Sequence, residues 1–240
     1  MTNSKSELIK EDANEHVTNN AIKRIDSHYI SHELFHLWHL DKGFFFNVKE
    51  LLIRPAASIR TFINERRDQH MKPIGFLIFS AVIYTIIYNN FKPAATTPPT
   101  DSYFYGTTVY AIQTWFQKNF GYDFIVKSFF IACWARLFFR KYGYNIFEIM
   151  TLMCFVSAQG MLLVGVILPF TSLLDQSITN ILLLGTTILY PVIVLAQFFN
   201  RAKVLNYGKS LLVYFLGGIT QFLLVIGVGL TIDFVVGLFK

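Results

Sequence analysis

The sequence predicts an all-α, polytopic membrane helix bundle of about five transmembrane helices, preceded by an amphipathic helical segment in the cytosol or at the membrane interface. Hydrophobic residues make up 53% of the 240 residues and charged residues only 15%, against about 25% charged in an ordinary soluble domain. Ten of the fifteen acidic residues precede Ile74. A polar head followed by a long apolar body is typical of membrane proteins.

This pattern divides the chain into three regions. Residues 1–27 are polar and predict a disordered tail. Residues 28–72 predict cytosolic amphipathic surface helices, and residues 73–240 predict a five-span transmembrane bundle. The first thirty residues contain neither an apolar core nor a small-residue cleavage site, so we expect the first span to direct insertion.

The surface region predicts a helix that begins at His28 and ends near Gly43. Two short helices follow it, Phe44 to Ile53 and a second that begins at Pro55, a residue suited to the first turn. The second helix places Ile59, Phe62 and Ile63 on one side. Such helices lie in the headgroup layer with the apolar face down, or they fold as a small cytosolic domain. The run 44–46, three phenylalanines, favours the membrane interface because exposing it to water is costly.

Five apolar runs predict the spans. They are Pro73–Tyr88, Ile125–Phe139, Ile146–Phe170, Ile178–Phe199 and Leu211–Ile232. A span needs about 17 to 25 residues, so we expect the first run to extend to Phe91 and the second to begin at Phe120. A Pro- and Thr-rich loop and a surface helix with Val109, Ile112, Trp115 and Phe116 on its apolar side lie between them.

The basic residues predict the orientation. Sixteen Lys and Arg lie in the head and in alternate loops, three lie on the opposite side, and Lys127 and Arg136 lie within spans. Cytoplasmic loops carry the excess of positive charge. We therefore expect a multi-pass protein of the cell inner (cytoplasmic) membrane, with the N-terminus cytoplasmic and the C-terminus outside.

Two features of the later spans predict their packing. Pro191 falls in the middle of the fourth span and is expected to kink it. The fifth span contains four glycines that allow helices to approach closely in lipid. These are Gly217, Gly218, Gly227 and Gly229.

The net charge of +6 indicates membrane lipids as partners, not nucleic acid, because the basic residues adjoin apolar segments. Clusters of Lys and Arg beside amphipathic helices are typical of sites for anionic headgroups. The candidate headgroup ligands are Lys42, Lys49, Arg54, Arg60, Arg66, Arg67 and Lys72. The sequence leaves homo-oligomer formation open.

A zinc-site pattern, H-E-x-x-H, lies upstream of the spans. On a helix, His32 and His36 would share one face and hold zinc while Glu33 acts as a base. The sequence shows no third ligand downstream, and the five-residue pattern is short enough to arise by chance. A zinc metalloprotease is therefore an alternative only, and we expect no cofactor.

Two polar residues lie in the third span. Asn145 and Glu148 fit a capping box at its start, although an intramembrane carboxylate is also a candidate for proton or cation transfer. Gln159, in mid-span, is more typical of an interhelical hydrogen bond. A small transporter or channel with a cavity near Glu148, Gln159 and Pro191 is the second alternative.

Several motifs carry a resemblance over about 31–216. They are Arg54-Pro55, Ile59-Arg60, Phe62-Ile63, Arg66-Arg67 and Lys72-Pro73. This pattern resembles the signature of a bacterial multi-span membrane-protein family of unknown function. Glu65 and His70 stand where that family has Gly and Tyr, and the chain lacks the paired-cysteine zinc ribbon common at the N-terminus of its members. The resemblance implies the multi-span architecture and no activity. The leading hypothesis is thus a non-enzymatic membrane protein with a basic, lipid-facing cytosolic segment.

Overall fold

The computed structural model describes residues 43–65, 67–91 and 103–238, and nothing of the Phe120 side chain. Within these ranges the chain forms nine α-helices and no strand, which confirms the all-α prediction. The helices are α1 Phe44–Ile53, α2 Pro55–Asn64, α3 Pro73–Phe91, α4 Thr108–Lys118, α5 Phe120–Phe138, α6 Ile146–Ile167, α7 Gln176–Leu184, α8 Tyr190–Asn200 and α9 Val204–Leu238.

Four helical segments of the described chain are long and apolar enough to cross a membrane. They are Pro73–Phe91, Ile146–Phe170, Gln176–Asn200 and Val204–Leu238. Each corresponds to a predicted span. The remaining predicted span corresponds to α5, which has 19 residues but carries Asp123, Lys127 and Arg136. These three charges make α5 less apolar than the other four segments.

Helix α5 nevertheless packs against both α6 and α9. Its Ser128 hydroxyl bonds to the Ser157 hydroxyl of α6 at 2.7 Å, and its other side packs closely on α9. Across the α5–α6 contact, earlier residues of one helix meet later residues of the other, so the two helices run antiparallel. By contrast, α3 runs parallel to α6, since Phe76 packs on Phe155 and Ile87 approaches Gly165. This is the alternation expected of consecutive spans.

Helix α6 forms the centre of the bundle. It is much more buried than the other three apolar segments, and it contacts α3, α5 and α8. Its buried face is large because neighbours surround it on most sides. The outer helices keep lipid-facing apolar side chains exposed, as a membrane bundle requires.

The fourth span is interrupted where Pro191 was expected to kink it. A π-helical turn, Gly185–Leu189, separates α7 from α8. Pro191 has no N–H and its ring crowds the carbonyl of the preceding turn. A widened turn directly before proline relieves that crowding.

Helix α9 extends beyond its predicted span by seven residues at its start and six at its end. Its 35 residues correspond to about 52 Å, whereas the hydrocarbon core is about 30 Å thick. Helix α4 packs on its last third, where a Cβ on Gly229 would lie 2.8 Å from the backbone N of Val109. There Asp233 accepts the backbone N–H of Thr108 at 3.1 Å and caps α4. The predicted surface helix therefore packs on protein, and its Trp115 is exposed.

The N-terminal helices α1 and α2 lie against the flank of the bundle. Tyr190, ten residues before the end of α8, donates its hydroxyl to the Leu51 carbonyl at 3.3 Å. The side chains of Ile59, Phe62 and Ile63 are buried and α2 packs on α6 and α8. The prediction that this side of α2 faces lipid was therefore wrong, because the bundle itself covers it.

Candidate functional site

The chain entering the first span is clamped by the start of α1. A Cβ on Gly43 would lie 2.9 Å from the carbonyl carbon of His70, so only glycine allows this approach. One turn later, Asn47 donates its amide to the Met71 carbonyl at 3.0 Å. The Asn47 amide oxygen lies 2.8 Å from Nδ1 of His70. These contacts fix α1 to the segment that begins α3.

His70 is the buried ionisable group of this clamp. Its ring packs edge-on against Phe46, Phe62 and Phe155. Because Asn47 uses its amide N–H on Met71, its oxygen accepts from His70, which places the imidazole proton on Nδ1. Burial lowers the pKa of His70, although the nearby Glu50 carboxylate opposes this effect. The neutral imidazole is thus the form that the clamp favours.

Arg60 fixes α2 to the end of α8. Its Nη1 donates to the carbonyl oxygens of Gln197 and Phe198 at 2.9 and 3.0 Å. The last carbonyls of a helix have no partner within it and carry partial negative charge. A guanidinium at this position satisfies both needs. Arg60 therefore makes a structural contact, and its side chain is only partly exposed to solvent.

Most of the described Lys and Arg residues lie at the end of the bundle beside the head, that is, beside α1 and α2. The loop Arg140–Tyr142 reaches the start of α9, where Asn206 donates to the Tyr142 hydroxyl at 2.9 Å. Tyr144 packs on Phe198 near the end of α8. Of the thirteen Lys and Arg in the described ranges, ten lie at this end. Those ten are Lys49, Arg54, Arg60, Arg67, Lys72, Arg140, Lys141, Arg201, Lys203 and Lys209.

One face of α1 remains apolar and uncovered. Phe45, Leu52 and Ile53 are 83%, 54% and 69% exposed. They recur seven and eight residues apart, which places them on one side of the helix. Lys49 is exposed on the turn between them. The opposite side of α1 carries the buried Asn47 and Leu51, so α1 is amphipathic with its apolar face directed away from the protein.

A polar cavity of about 240 Å³ lies on the other side of the head. Glu50, Glu65 and His70 contribute to its wall, and Ser58 adds a buried hydroxyl oxygen without a hydrogen-bond partner among the described residues. The two acids oppose binding of an anion here. The residues that the structure describes contain no group of three or more His, Cys, Asp or Glu placed to hold a metal.

The remaining predicted headgroup ligands have mixed surroundings. Arg54 pairs with Glu50 at 2.6 Å on the surface of α1, and Arg67 donates to the Ile63 carbonyl at 3.3 Å. Lys72 is half-buried at the entry to α3. Five further residues of the sequence analysis lie outside the described residues. They are Lys42, Arg66 and the three residues of the zinc-site pattern, His32, Glu33 and His36.

The two polar residues predicted in the third span lie apart. Glu148 accepts the Asn145 N–H at 2.7 Å while Asn145 accepts the Glu148 N–H at 2.8 Å, which confirms the capping box. Gln159 is 11 residues further along α6, or about 16 Å. It is buried, and its amide oxygen has no hydrogen-bond partner among the described residues. The length of helix between Glu148 and Gln159 is therefore enough to keep the two side chains apart.

Sequence reasoning missed a polar cluster between α5 and α9. Gln221 donates to the Asp123 carboxylate at 2.6 Å, and Lys127 lies one turn further along α5. The signal was present, since Asp123 and Lys127 are an acid and a base four residues apart within an apolar run. Their partner on α9 was not evident, because a glutamine in a span does not indicate which helix it faces.

A comparison with known families adds one finding. A family model described as a protein of unknown function (DUF3667) matches residues 41–85, which include α1, α2 and most of α3. No curated protein and no solved structure matches the chain. The matched segment contains the whole clamp from Gly43 to His70. With the apolar helices, the match fits an integral membrane protein of unknown activity.

Proposed function

We propose that the chain is a non-enzymatic protein of the bacterial inner membrane whose head binds anionic lipid in the cytoplasmic leaflet. The observation that carries this proposal is the two-sided α1. One side is hydrogen-bonded through Asn47 to the segment that begins α3, and the other side exposes Phe45, Leu52 and Ile53 around Lys49.

The physical argument begins with the apolar face. Three large apolar side chains on one helix face are costly to leave in water, and acyl chains cover them without a further protein. A lysine on the same face then extends toward the headgroups while its methylene stem stays among the chains. Each such cation contributes about 1 kcal/mol of attraction to an anionic leaflet.

The orientation belongs to the same proposal. Ten of the thirteen described Lys and Arg lie at the head end of the bundle, and Lys118 lies at the other. The positive-inside rule then favours a cytoplasmic head and an external C-terminus. On this arrangement α1 lies in the cytoplasmic leaflet, which contains the anionic lipids.

Arg60 and Lys49 have different parts in this proposal. Arg60 is assigned to the structure of the head, because two backbone carbonyls hold its Nη1. Lys49 is assigned to lipid, because it is exposed beside the apolar face. Lys42 and Arg66 stay candidates from the sequence.

The test measures lipid affinity of the full-length protein in detergent. Binding of phosphatidylglycerol and of phosphatidylcholine is titrated at low and high salt. We expect phosphatidylglycerol to bind more tightly, with an advantage that falls as salt rises. Lys49→Gln is expected to weaken this binding about fivefold, which corresponds to about 1 kcal/mol.

The matched control is Lys118→Gln, an exposed lysine at the opposite end of the bundle. It is expected to leave the affinity for phosphatidylglycerol unchanged. Equal, salt-insensitive binding of both lipids would refute the proposal. So would an equal loss from the two lysine substitutions, since charge would then act without regard to position.

A further inference from the structure

Asp123 and Lys127 stand one turn apart on α5, the spacing at which an acid and a base on a helix usually pair. Both lie in the described chain, and they form no ion pair there. The Asp123 carboxylate accepts from Gln221 at 2.6 Å, and the Lys127 ammonium lies 5.7 Å from the centre of the Tyr214 ring. Both side chains line one cavity of about 440 Å³. One cavity therefore reaches both charged side chains.

Three helices build this cavity. Besides the two charged groups of α5, α4 contributes the amides of Gln113 and Gln117, and α9 contributes that of Gln221. Such a wall offers donors and acceptors on several sides. The volume lies within the usual range of small-molecule sites, about 300–1,000 Å³.

The cavity lies in the half of the membrane away from the head. Gln221 is 17 residues from the start of α9 at Val204 and 12 residues from Lys209, which corresponds to about 26 and 18 Å along the helix. The hydrocarbon core is about 30 Å thick. Phe222, on the cavity wall, is exposed on the outer surface of α9. A ligand thus has access from the outer leaflet as well as from outside.

Charges at this depth are costly and are typical of functional sites. A simple anion would meet Lys127 but would also face the Asp123 carboxylate. A simple cation would meet Asp123 but would face the Lys127 ammonium. A molecule with an ammonium and an anionic group joined by a short linker satisfies both charges at once.

We propose that this cavity binds a zwitterionic amine, with its ammonium at Asp123 and its phosphate at Lys127. Gln221 positions the carboxylate, and Gln113 and Gln117 supply further hydrogen bonds. The phosphoethanolamine group has this chemistry, whether it belongs to a lipid of the outer leaflet or to a soluble compound. The site lies apart from the head and its binding of anionic lipid, and only its assignment to the outer leaflet rests on the proposed orientation.

The test titrates full-length protein in detergent with three probes, using native mass spectrometry and thermal shift. The probes are lyso-phosphatidylethanolamine, soluble glycerophosphoethanolamine and lyso-phosphatidylglycerol. We expect at least one ethanolamine probe to bind about tenfold or more tightly than the glycerol lipid. If lyso-phosphatidylethanolamine binds and glycerophosphoethanolamine does not, the ligand is a membrane lipid. If both bind, the free headgroup is sufficient for binding.

Two variants connect the binding to the cavity. Asp123→Asn retains an acceptor for Gln221, and Lys127→Gln retains polarity; each is expected to lower ethanolamine affinity about tenfold, the effect of losing one charge-assisted hydrogen bond. Lys118→Gln, outside the cavity, is the control. Unchanged affinity in both variants, with wild-type melting temperatures, would overturn the proposal. Failure of both ethanolamine probes to exceed the glycerol lipid would do the same.

Discussion

Tyr214 of α9 donates its hydroxyl to the backbone carbonyl of Thr187 in the preceding span. Thr187 lies four residues before Pro191, so in a regular α-helix a residue other than proline at 191 would donate its own N–H to this carbonyl. Proline has no N–H to give. The tyrosine of the neighbouring helix therefore supplies a donor that the proline removes.

Tyr214→Phe is expected to destabilise the protein by about 1–3 kcal/mol, because it removes the donor of this part-buried hydrogen bond. Pro191→Ala returns an N–H to the helix, so the tyrosine substitution should cost less in that background. Unfolding of the four proteins in a double-mutant cycle measures the coupling. Tyr207→Phe, which loses an exposed contact to Arg201, is the control. An equal loss of stability in both backgrounds would show that the Tyr214 hydroxyl does not replace the N–H that the proline lacks.

Gly217 and Gly227 on α9 are expected to respond differently to alanine. A Cβ at 217 would lie 3.0 Å from the backbone N of Ile131, whereas a Cβ at 227 would meet nothing within 4 Å. Gly217→Ala should therefore cost about 1–3 kcal/mol through overpacking. Gly227→Ala should be neutral or stabilise by up to about 1 kcal/mol, since alanine favours helix. Thermal unfolding in detergent compares them, and similar values would contradict the packing of α5 on α9.

The sequence predicted the spans well because apolar length is a local property. The capping box of Asn145 and Glu148 was equally local. The structure confirms the capping box and four of the five predicted spans. The docking of Arg60 on α8 joins residues 137 and 138 positions apart, and no local pattern encodes it. The hydrogen bond from Gln221 to Asp123 likewise joins residues 98 positions apart. An amphipathic pattern shows which face is apolar, but not whether lipid or protein covers it.

His70 is expected to make stability depend on pH. Its pKa is lowered by burial, so the folded protein binds fewer protons than the unfolded chain as pH falls below about 6.5. The stability that the neutral His70 contributes is fully present above that pH and is lost as pH falls through the lowered pKa. The loss is about 1.4 kcal/mol for each unit by which the pKa is lowered.

Melting temperatures of the wild type and of His70→Gln between pH 8 and 5 provide the measurement. Glutamine keeps a hydrogen-bond donor for Asn47 and does not titrate. The difference between the two curves therefore gives the contribution of His70 apart from that of the other titrating groups. We expect the wild type to lose more stability than the variant as the pH is lowered. A wild type that gained stability relative to the variant would mean a raised pKa and would contradict the burial of a neutral ring.

Arg60 is expected to act through structure, and Arg60→Lys separates that role from lipid binding. Arginine reaches the Gln197 and Phe198 carbonyls with one nitrogen of a long side chain, whereas the lysine side chain is shorter and its ammonium is more strongly hydrated. Both Arg60→Lys and Arg60→Gln should therefore destabilise the protein by about 2–3 kcal/mol and speed hydrogen exchange in α2. The exposed Arg54→Gln is the control and should have little effect. If Arg60→Gln instead lowered phosphatidylglycerol affinity while Arg60→Lys retained it, with stability unchanged in both, the guanidinium would belong to the lipid site, because charge alone would then account for its contribution.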